Sequence, residues 1–559
     1  MEGNNQEVRI NGHMLTPEQV ISVARTHAKV VIDPPALKAL TGLREGLQEL
    51  INQKIPMYGV NTGCGSRKNI ILEPEDLSDY QMRYIPAHCC GFGEPMPEEV
   101  VRAAMLIRLN NFLKGCSGLR PEIALRLADY LNLRITPIVP RYGSVGASGD
   151  LVPLAHVTSV MIEDPHARVW YDGNKMSAHD AHRLCNLDRI VLEAKEAMGM
   201  TNGVNFLAAI GCLAWHDTSE LLDVSCLATA LSVEAIRGEM NAFDPRIHEA
   251  REFMGQLYTA KMISELLVDS SRTKKAAREY SWERKDDLGL EYQPKKDKKG
   301  RFVPRVQDAY SFRCAPQIMA PLKHALDHAY EMLKTEINSA TDNPLIFKDP
   351  DAEHGYSVLS AGNFHGQPLA QLFAYLASSL APVSGVSDRR LFALLSSKSS
   401  FGLPDDLAGP SPNNTGYMIA QYATAALQSQ IQVLATPACN ASTPTSANQE
   451  DWVSMGMTQA MNLRELIPLV RTVLATELLG ATRGIALIEP VMSTATWPLG
   501  TGTRVAYQEI VQIYADELAK DPTDLENRFR DRYFAADVNR VVAMLEDGYL
   551  MRQVYYALK

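Results

Sequence analysis

The run Gly143-Ser144-Val145-Gly146-Ala147-Ser148-Gly149-Asp150 packs three glycines, an alanine and two serines into eight residues. Glycines at that density let the backbone take φ > 0 and fold closely on itself. If the amide nitrogen of Gly149 is pressed against the carbonyl carbon of Ala147, the chain can cyclise with loss of water, and a second water can leave from the Ser148 side chain. The product is a methylidene-imidazolone, an electron-poor alkene built from the backbone. Ala147 is small enough to permit the approach, Ser148 supplies the leaving hydroxyl, and Gly149 supplies an unhindered nitrogen.

Such an electrophile turns a poor leaving group, such as the amine of an amino acid, into a good one. The remaining difficulty is the proton on the weakly acidic β-carbon. A phenol whose pKa is lowered in a dry pocket suits that task. Tyr58, in Tyr58-Gly59-Val60-Asn61-Thr62-Gly63, sits on a glycine loop able to carry its ring into a site. Arg313, in Val306-Gln307-Asp308-Ala309-Tyr310-Ser311-Phe312-Arg313, offers a planar fork for a substrate carboxylate. Tyr310, three residues earlier, comes alongside if the segment is helical.

The frame 143–156, Gly-Ser-Val-Gly-Ala-Ser-Gly-Asp-Leu-Val-Pro-Leu-Ala-His, resembles the signature of the aromatic amino acid ammonia-lyases that act on histidine, phenylalanine or tyrosine. The loop at Tyr58, Thr201-Asn202-Gly203, the cluster 306–313, Thr341-Asp342-Asn343-Pro344-Leu345 and Ser360-Ala361-Gly362-Asn363-Phe364-His365-Gly366-Gln367-Pro368 resemble further family segments in the same order, so the likeness spans residues 10–500. It implies Tyr58 as β-proton base, Arg313 as carboxylate clamp, and Asn202, Gln307 and Tyr310 as orienters. Phe364 is expected against the imidazolone and the substrate, and His365 as a cap on the following helix. It also implies a homotetramer with active sites shared between subunits, an amino-acid substrate, and no metal or diffusible cofactor beyond the imidazolone of Ala147, Ser148 and Gly149.

Two places bear on the substrate. Ala87-His88 falls where the family reads the ring, and His88 is similar to the histidine of the histidine-specific members. Glu450 stands where those members place a carboxylate and phenylalanine or tyrosine enzymes tend to have glutamine. A buried carboxylate is a natural partner for an imidazole N–H and an expensive neighbour for a benzene ring. Cys64, Thr201, Cys89-Cys90 and Trp452 depart from the family pattern. The reading favours histidine, with a phenylalanine or tyrosine lyase, a 2,3-aminomutase and a non-catalytic helical scaffold as alternatives.

The elements that must hold these groups read as mainly α. Thr16-Pro17-Glu18-Gln19 predicts a capped helix start, and helical spacing continues over 35–51 and 98–131, with a break near Gly115. Long helices are expected over 318–340, 367–380, 420–433 and 458–487, the last kinked at Pro468. Wide apolar faces of this kind need partners in a bundle or from other subunits. The resemblance identifies the bundle as the ammonia-lyase type, related to fumarase and aspartase. The motifs divide the chain into an N-terminal portion 1–205 with the base and imidazolone loops, a central long-helix bundle 206–500 and a C-terminal helical layer 501–559. Within 270–304, Lys274, Lys275, Lys285, Lys295, Lys296, Lys298 and Lys299 predict a solvated insertion or mobile loop.

With 46% hydrophobic and 21% charged residues over 559 positions, the composition is that of a globular protein with a large core. A net charge of −10 without a basic aromatic face speaks against nucleic acid. Nine cysteines at irregular spacing suggest a reducing cytoplasm. The N-terminal residues have no leader pattern and no apolar run reads as a membrane span, so a soluble, cytoplasmic protein is expected.

Overall fold

The capping box at Thr16 forms as its sequence dictates. Gln19 N–H donates to Thr16 Oγ1 at 3.3 Å, and Thr16 N–H donates back to Gln19 Oε1 at 3.1 Å. The helix Pro17–Arg25 follows and buries Val20, Ile21, Val23 and Ala24. The computed structural model describes residues 7–284, 289–514 and 528–559. The N-terminal residues 1–6 and Lys285, both part of the sequence reading, lie outside them.

The chain forms two compact units from interleaved segments: 1–216, 328–374 and 437–464 in one, 217–327, 375–436 and 465–559 in the other. The sequence divisions at 205 and 500 follow the order of the motifs, whereas compactness draws the boundaries inside the long helices Asn205–Ala235, Ala315–Glu336, Gln367–Leu394 and Gly456–Leu487.

The first unit holds the helices Pro34–Asn52, Leu77–His88, Glu98–Phe112, Pro121–Asn132 and Leu151–Met161 and four small sheets. Buried polar side chains fix its core. Lys195 Nζ meets Asp342 Oδ2 at 2.9 Å with both side chains buried, and Ser117 donates to the other Asp342 oxygen at 3.0 Å. Buried charges persist only when so paired.

In the second unit, Glu477 is buried and accepts from Arg390, Ser232 and Ser387. The described residues of segment 270–304 are more firmly anchored than its lysines suggest. Buried Arg272 donates to the carbonyls of Trp497 and Met492, while Ala277, Trp282 and Leu290 are core residues. A short helix Lys275–Glu279 and the pair Trp282–Glu283 with Glu291–Tyr292 follow. The described lysines of the segment are exposed, on backbone anchored by neighbours that periodicity does not reveal.

Two further expectations change. The helix from Gln367 runs on to Leu394, through Pro382, because burial outweighs one missing backbone bond; Gly456–Leu487 carries Pro468 in its interior, with the extent expected over 458–487. Gln367–Leu394 is also long and apolar enough to cross a membrane, contrary to the sequence reading, but 67% of its apolar window is buried inside the protein. That is the pattern of a core helix.

Candidate active site

Gly149 has φ +71°, and a Cβ there would lie 2.0 Å from the carbonyl oxygen of Gly203. Only glycine fits. The turn 143–150 is thereby pressed against Asn202-Gly203, and Asp150 N–H donates to the same Gly203 oxygen at 2.7 Å. The Asp150 carboxylate is buried and accepts from the amides of Phe206 (2.8 Å) and Leu207 (3.1 Å), in the first turn of Asn205–Ala235. Burial, opposed by those amides, raises its pKa to about 7. From the other side, Ser454 Oγ (3.0 Å) and the Gly366 amide (3.1 Å) donate to Gly146 O, and the Met455 amide donates to Val145 O at 2.9 Å. Backbone from three distant segments therefore holds the turn.

Its tip, Ser148, faces a cavity of about 580 Å³ in the first unit. Of the expected site residues, Tyr58, Ala87, His88, Ser148, Asn202, Phe364 and Glu450 line it. Ala147 is buried beneath, in the turn itself. Asn202 Nδ2 donates to the Ser148 carbonyl at 3.1 Å, with the Gly203 amide on the same oxygen at 3.4 Å; Asn202 Oδ1 is buried with no hydrogen-bond partner. Ser148 Oγ donates to Glu450 Oε1 at 2.9 Å, and Thr445 Oγ1 donates to Oε2 at 2.7 Å.

His88 ends the helix Leu77–His88. Its Nδ1 lies 2.7 Å from the carbonyl oxygen of Tyr84, on whose ring it stacks at 3.8 Å. A carbonyl only accepts, so Nδ1 carries the proton and Nε2 keeps a lone pair. Burial lowers the His88 pKa below 6.5, against opposing contributions from the Tyr84 carbonyl and Glu450.

Tyr58 behaves differently from the sequence expectation. Its pKa is raised, first by burial and then by Cys64 and Glu450, while the Gly65 amide, which donates to its Oη at 3.1 Å, pulls the other way. The phenol is half-buried, and its burial and its neighbours within this chain disfavour a phenolate.

Gln307, Tyr310 and Arg313 do not line this cavity; they belong to the second unit. There Tyr310–Arg313 forms one helical turn, with the Arg313 guanidinium 4.6 Å from the Tyr310 ring centre. Tyr310 is 68% exposed, Gln307 is exposed, and Arg313 Nε has no hydrogen-bond partner. His365 caps as expected: the Gln367 amide donates to its Nδ1 at 3.3 Å, and Nε2 lies 3.2 Å from Trp452 O.

The sequence reading did not single out Tyr80, Arg83, Tyr84, Arg67, Leu151 and Met198, which also line the cavity. Tyr80, Tyr84, Ala87 and His88 share one face of a helix at i, i+4, i+7 and i+8, and that periodicity was available as a signal. Arg67 and Met198 carried none, since they arrive from a loop and a short helix.

The geometry can be set beside known proteins. The aromatic amino acid lyase family matches residues 15–512. The chain is 36% identical to histidine ammonia-lyase from Alkaliphilus metalliredigens over 549 residues, 98% of each chain. It is 39% identical to histidine ammonia-lyase from Streptococcus gordonii over 500 residues, 89% of this chain and 90% of that one. Among solved structures, a tyrosine aminomutase from Streptomyces globisporus aligns with a TM-score of 0.85 at 29% identity over 98% of both chains. Histidine ammonia-lyase from Trypanosoma cruzi aligns with a TM-score of 0.83 at 28% identity, covering 99% of this chain and 96% of that one. The mainly α fold with long helices read from the sequence is the fold of these structures.

Proposed function

Because this chain belongs to the aromatic amino acid lyase family, and is therefore a carbon–nitrogen lyase, we propose that it deaminates L-histidine to trans-urocanate and ammonia. The observation that carries the choice of histidine is the pair of acceptors in one cavity with Ser148: the Glu450 carboxylate and the lone pair left on His88 Nε2. An imidazole brings N–H donors to such a site. A phenyl ring brings none and would leave these half-buried acceptors without a donor from the substrate. The histidine ammonia-lyases among the chain's relatives support the same substrate.

The residues present fit an imidazolone at 147–149. Gly149 tolerates no Cβ, and the Ser148 carbonyl, which would become the ring oxygen, already accepts from Asn202 and Gly203. Once formed, the group supplies the electrophile that makes the substrate amine a leaving group. Around it, Asn202 Oδ1, buried and unpartnered, is free to accept from the substrate ammonium. Phe364 closes the cavity wall. Tyr58 takes the β-proton, and a bound ammonium beside its phenol offsets the burial and the carboxylate that raise its pKa. Ala87 and His88, at the end of their helix, set the length of the ring pocket.

Arg313 clamps the substrate carboxylate, with Gln307 and Tyr310 beside it, and these three come from another copy of the chain. The exposure of Gln307 and Tyr310, the unpartnered Arg313 Nε and the absence of all three from the cavity of their own chain's first unit support that arrangement. Exposed Ile419, Tyr422 and Val433 along the helix Met418–Leu434 support association into a homotetramer, since apolar helix faces are rarely left to water. Nine free cysteines suit a cytoplasmic setting.

An ultraviolet assay with histidine, phenylalanine and tyrosine tests the proposal: urocanate from histidine is expected. Cinnamate or coumarate as the principal product would transfer it to another substrate. A β-amino acid in place of free ammonia would make the protein an aminomutase.

A further inference from the structure

The second unit contains another cavity, of about 790 Å³, bounded by the helix Lys275–Glu279, the segment 292–306 and the turn 397–401. It shares no lining residue with the cavity at Ser148, and its size is that of a small-molecule site.

Five cations line it, Lys275, Arg278, Lys295, Arg305 and Lys398, against two carboxylates, Glu239 and Glu279. Both carboxylates are already engaged: Arg278 Nη2 lies 2.8 Å from Glu239, and Lys275 Nζ 3.7 Å from Glu279. Arg305 meets Asp308 at 2.9 Å. Lys295 and Lys398 make no ion pair among the described residues. Lysines on an open surface would simply be hydrated, but here they stand over an apolar floor.

That floor is built. The Arg305 guanidinium carbon lies 3.3 Å from the ring centre of Phe401, and only 12% of the Arg305 side chain is exposed. Its Nη1 donates to the carbonyl of Ile236 at 2.9 Å, while its Nε is buried without a partner. Phe401 is held at φ +59°, its carbonyl accepting from Arg237. Tyr292, Phe302 and Val303 complete the apolar wall.

We propose that this cavity binds a small organic anion with a flat apolar body, an aryl carboxylate or an aryl phosphate. The anionic group meets Lys295 and Lys398, and the body lies on the surface formed by Phe401, Tyr292 and Phe302. The wall Pro304-Arg305-Val306 runs directly into Gln307, Tyr310 and Arg313, and Arg305 is paired to Asp308 between them. Occupancy therefore steadies the segment that carries the carboxylate clamp. That consequence for turnover rests on the function proposed above; binding does not.

Titration calorimetry on the full-length protein tests it with phenyl phosphate, benzoate, inorganic phosphate and phenol. Phenyl phosphate, benzoate or both are expected to bind at one site per chain outside the Ser148 cavity, and whichever is tighter identifies the anionic group. The double substitution Lys295→Ala, Lys398→Ala, on two exposed side chains, is expected to weaken that binding roughly tenfold or more, the loss of charge-assisted hydrogen bonds. Turnover of histidine without added anion is expected to stay at the wild-type rate, which also reports that the variant has folded. Unchanged affinity in the double variant, inorganic phosphate or phenol binding as tightly as phenyl phosphate, or no binding of either aryl anion at millimolar concentration would each overturn the proposal.

Discussion

Before the imidazolone forms, Glu450 has both carboxylate oxygens engaged, Oε1 by Ser148 and Oε2 by Thr445; loss of the Ser148 hydroxyl as water frees Oε1 for the substrate while Thr445 still holds Oε2. Glu450→Gln keeps the shape but loses a charged acceptor. Histidine kcat/KM is expected to fall by roughly ten- to a hundredfold, the worth of a charge-assisted hydrogen bond, in steady-state assays of the purified variant; undiminished turnover would remove Glu450 from substrate recognition. His88 makes a second demand. Burial holds its pKa below 6.5, so near pH 6 the folded protein binds fewer protons at this residue than the unfolded chain. Its contribution to stability is thus present above 6.5 and lost as pH falls through the lowered value. Protonation also removes the Nε2 lone pair, so KM for histidine should rise on acidification below pH 6.5 while remaining flat between 7 and 8. The chemical identity of these residues was legible in their motifs. The His88 tautomer was not, because it is fixed by the carbonyl of Tyr84, and neither was the upward shift of Tyr58, which depends on Glu450 from a remote part of the chain.

Among the elements, the helix Asn205–Ala235 does most to place the electrophile-forming turn, since its first amides converge on Asp150. Asp150→Ala leaves two buried N–H donors unpaired and is expected to cost about 2–4 kcal/mol, read as a lower denaturation midpoint with an unchanged slope. Asp150→Asn preserves an acceptor and should recover most of that loss. It also removes a pH dependence: with the carboxyl raised to about 7 from an unfolded value of 3.8, its stabilising contribution is full below 3.8 and is lost as pH rises through 7. Helix starts were readable where a cap is written locally, as at Thr16 and Gln19. Helix continuation through Pro382 and the anchoring of segment 270–304 by Arg272 were not, because burial by distant segments decides them.

For the whole molecule, the proposed base Tyr58 and the proposed carboxylate clamp Arg313 belong to different compact units, and of the two only Tyr58 lines the Ser148 cavity. A site shared between copies predicts complementation. Tyr58→Phe and Arg313→Ala chains, each expected to be nearly inactive alone, should regain histidine turnover when co-expressed, because some sites then receive a wild-type Tyr58 from one chain and a wild-type Arg313 from another. Mixed oligomers without recovered activity would place both residues in the same chain's site. The resemblance implied a site shared between subunits, but motif order did not show how these residues divide over the two compact units, since it says nothing of which segments pack together.

The central claim is that Ala147, Ser148 and Gly149 become an electrophile, and the intact mass of the purified protein tests it most directly. The account predicts a chain lighter than its translated sequence by two waters, and a Ser148→Ala chain that does not lose the second. A wild-type chain at its full translated mass would contradict it.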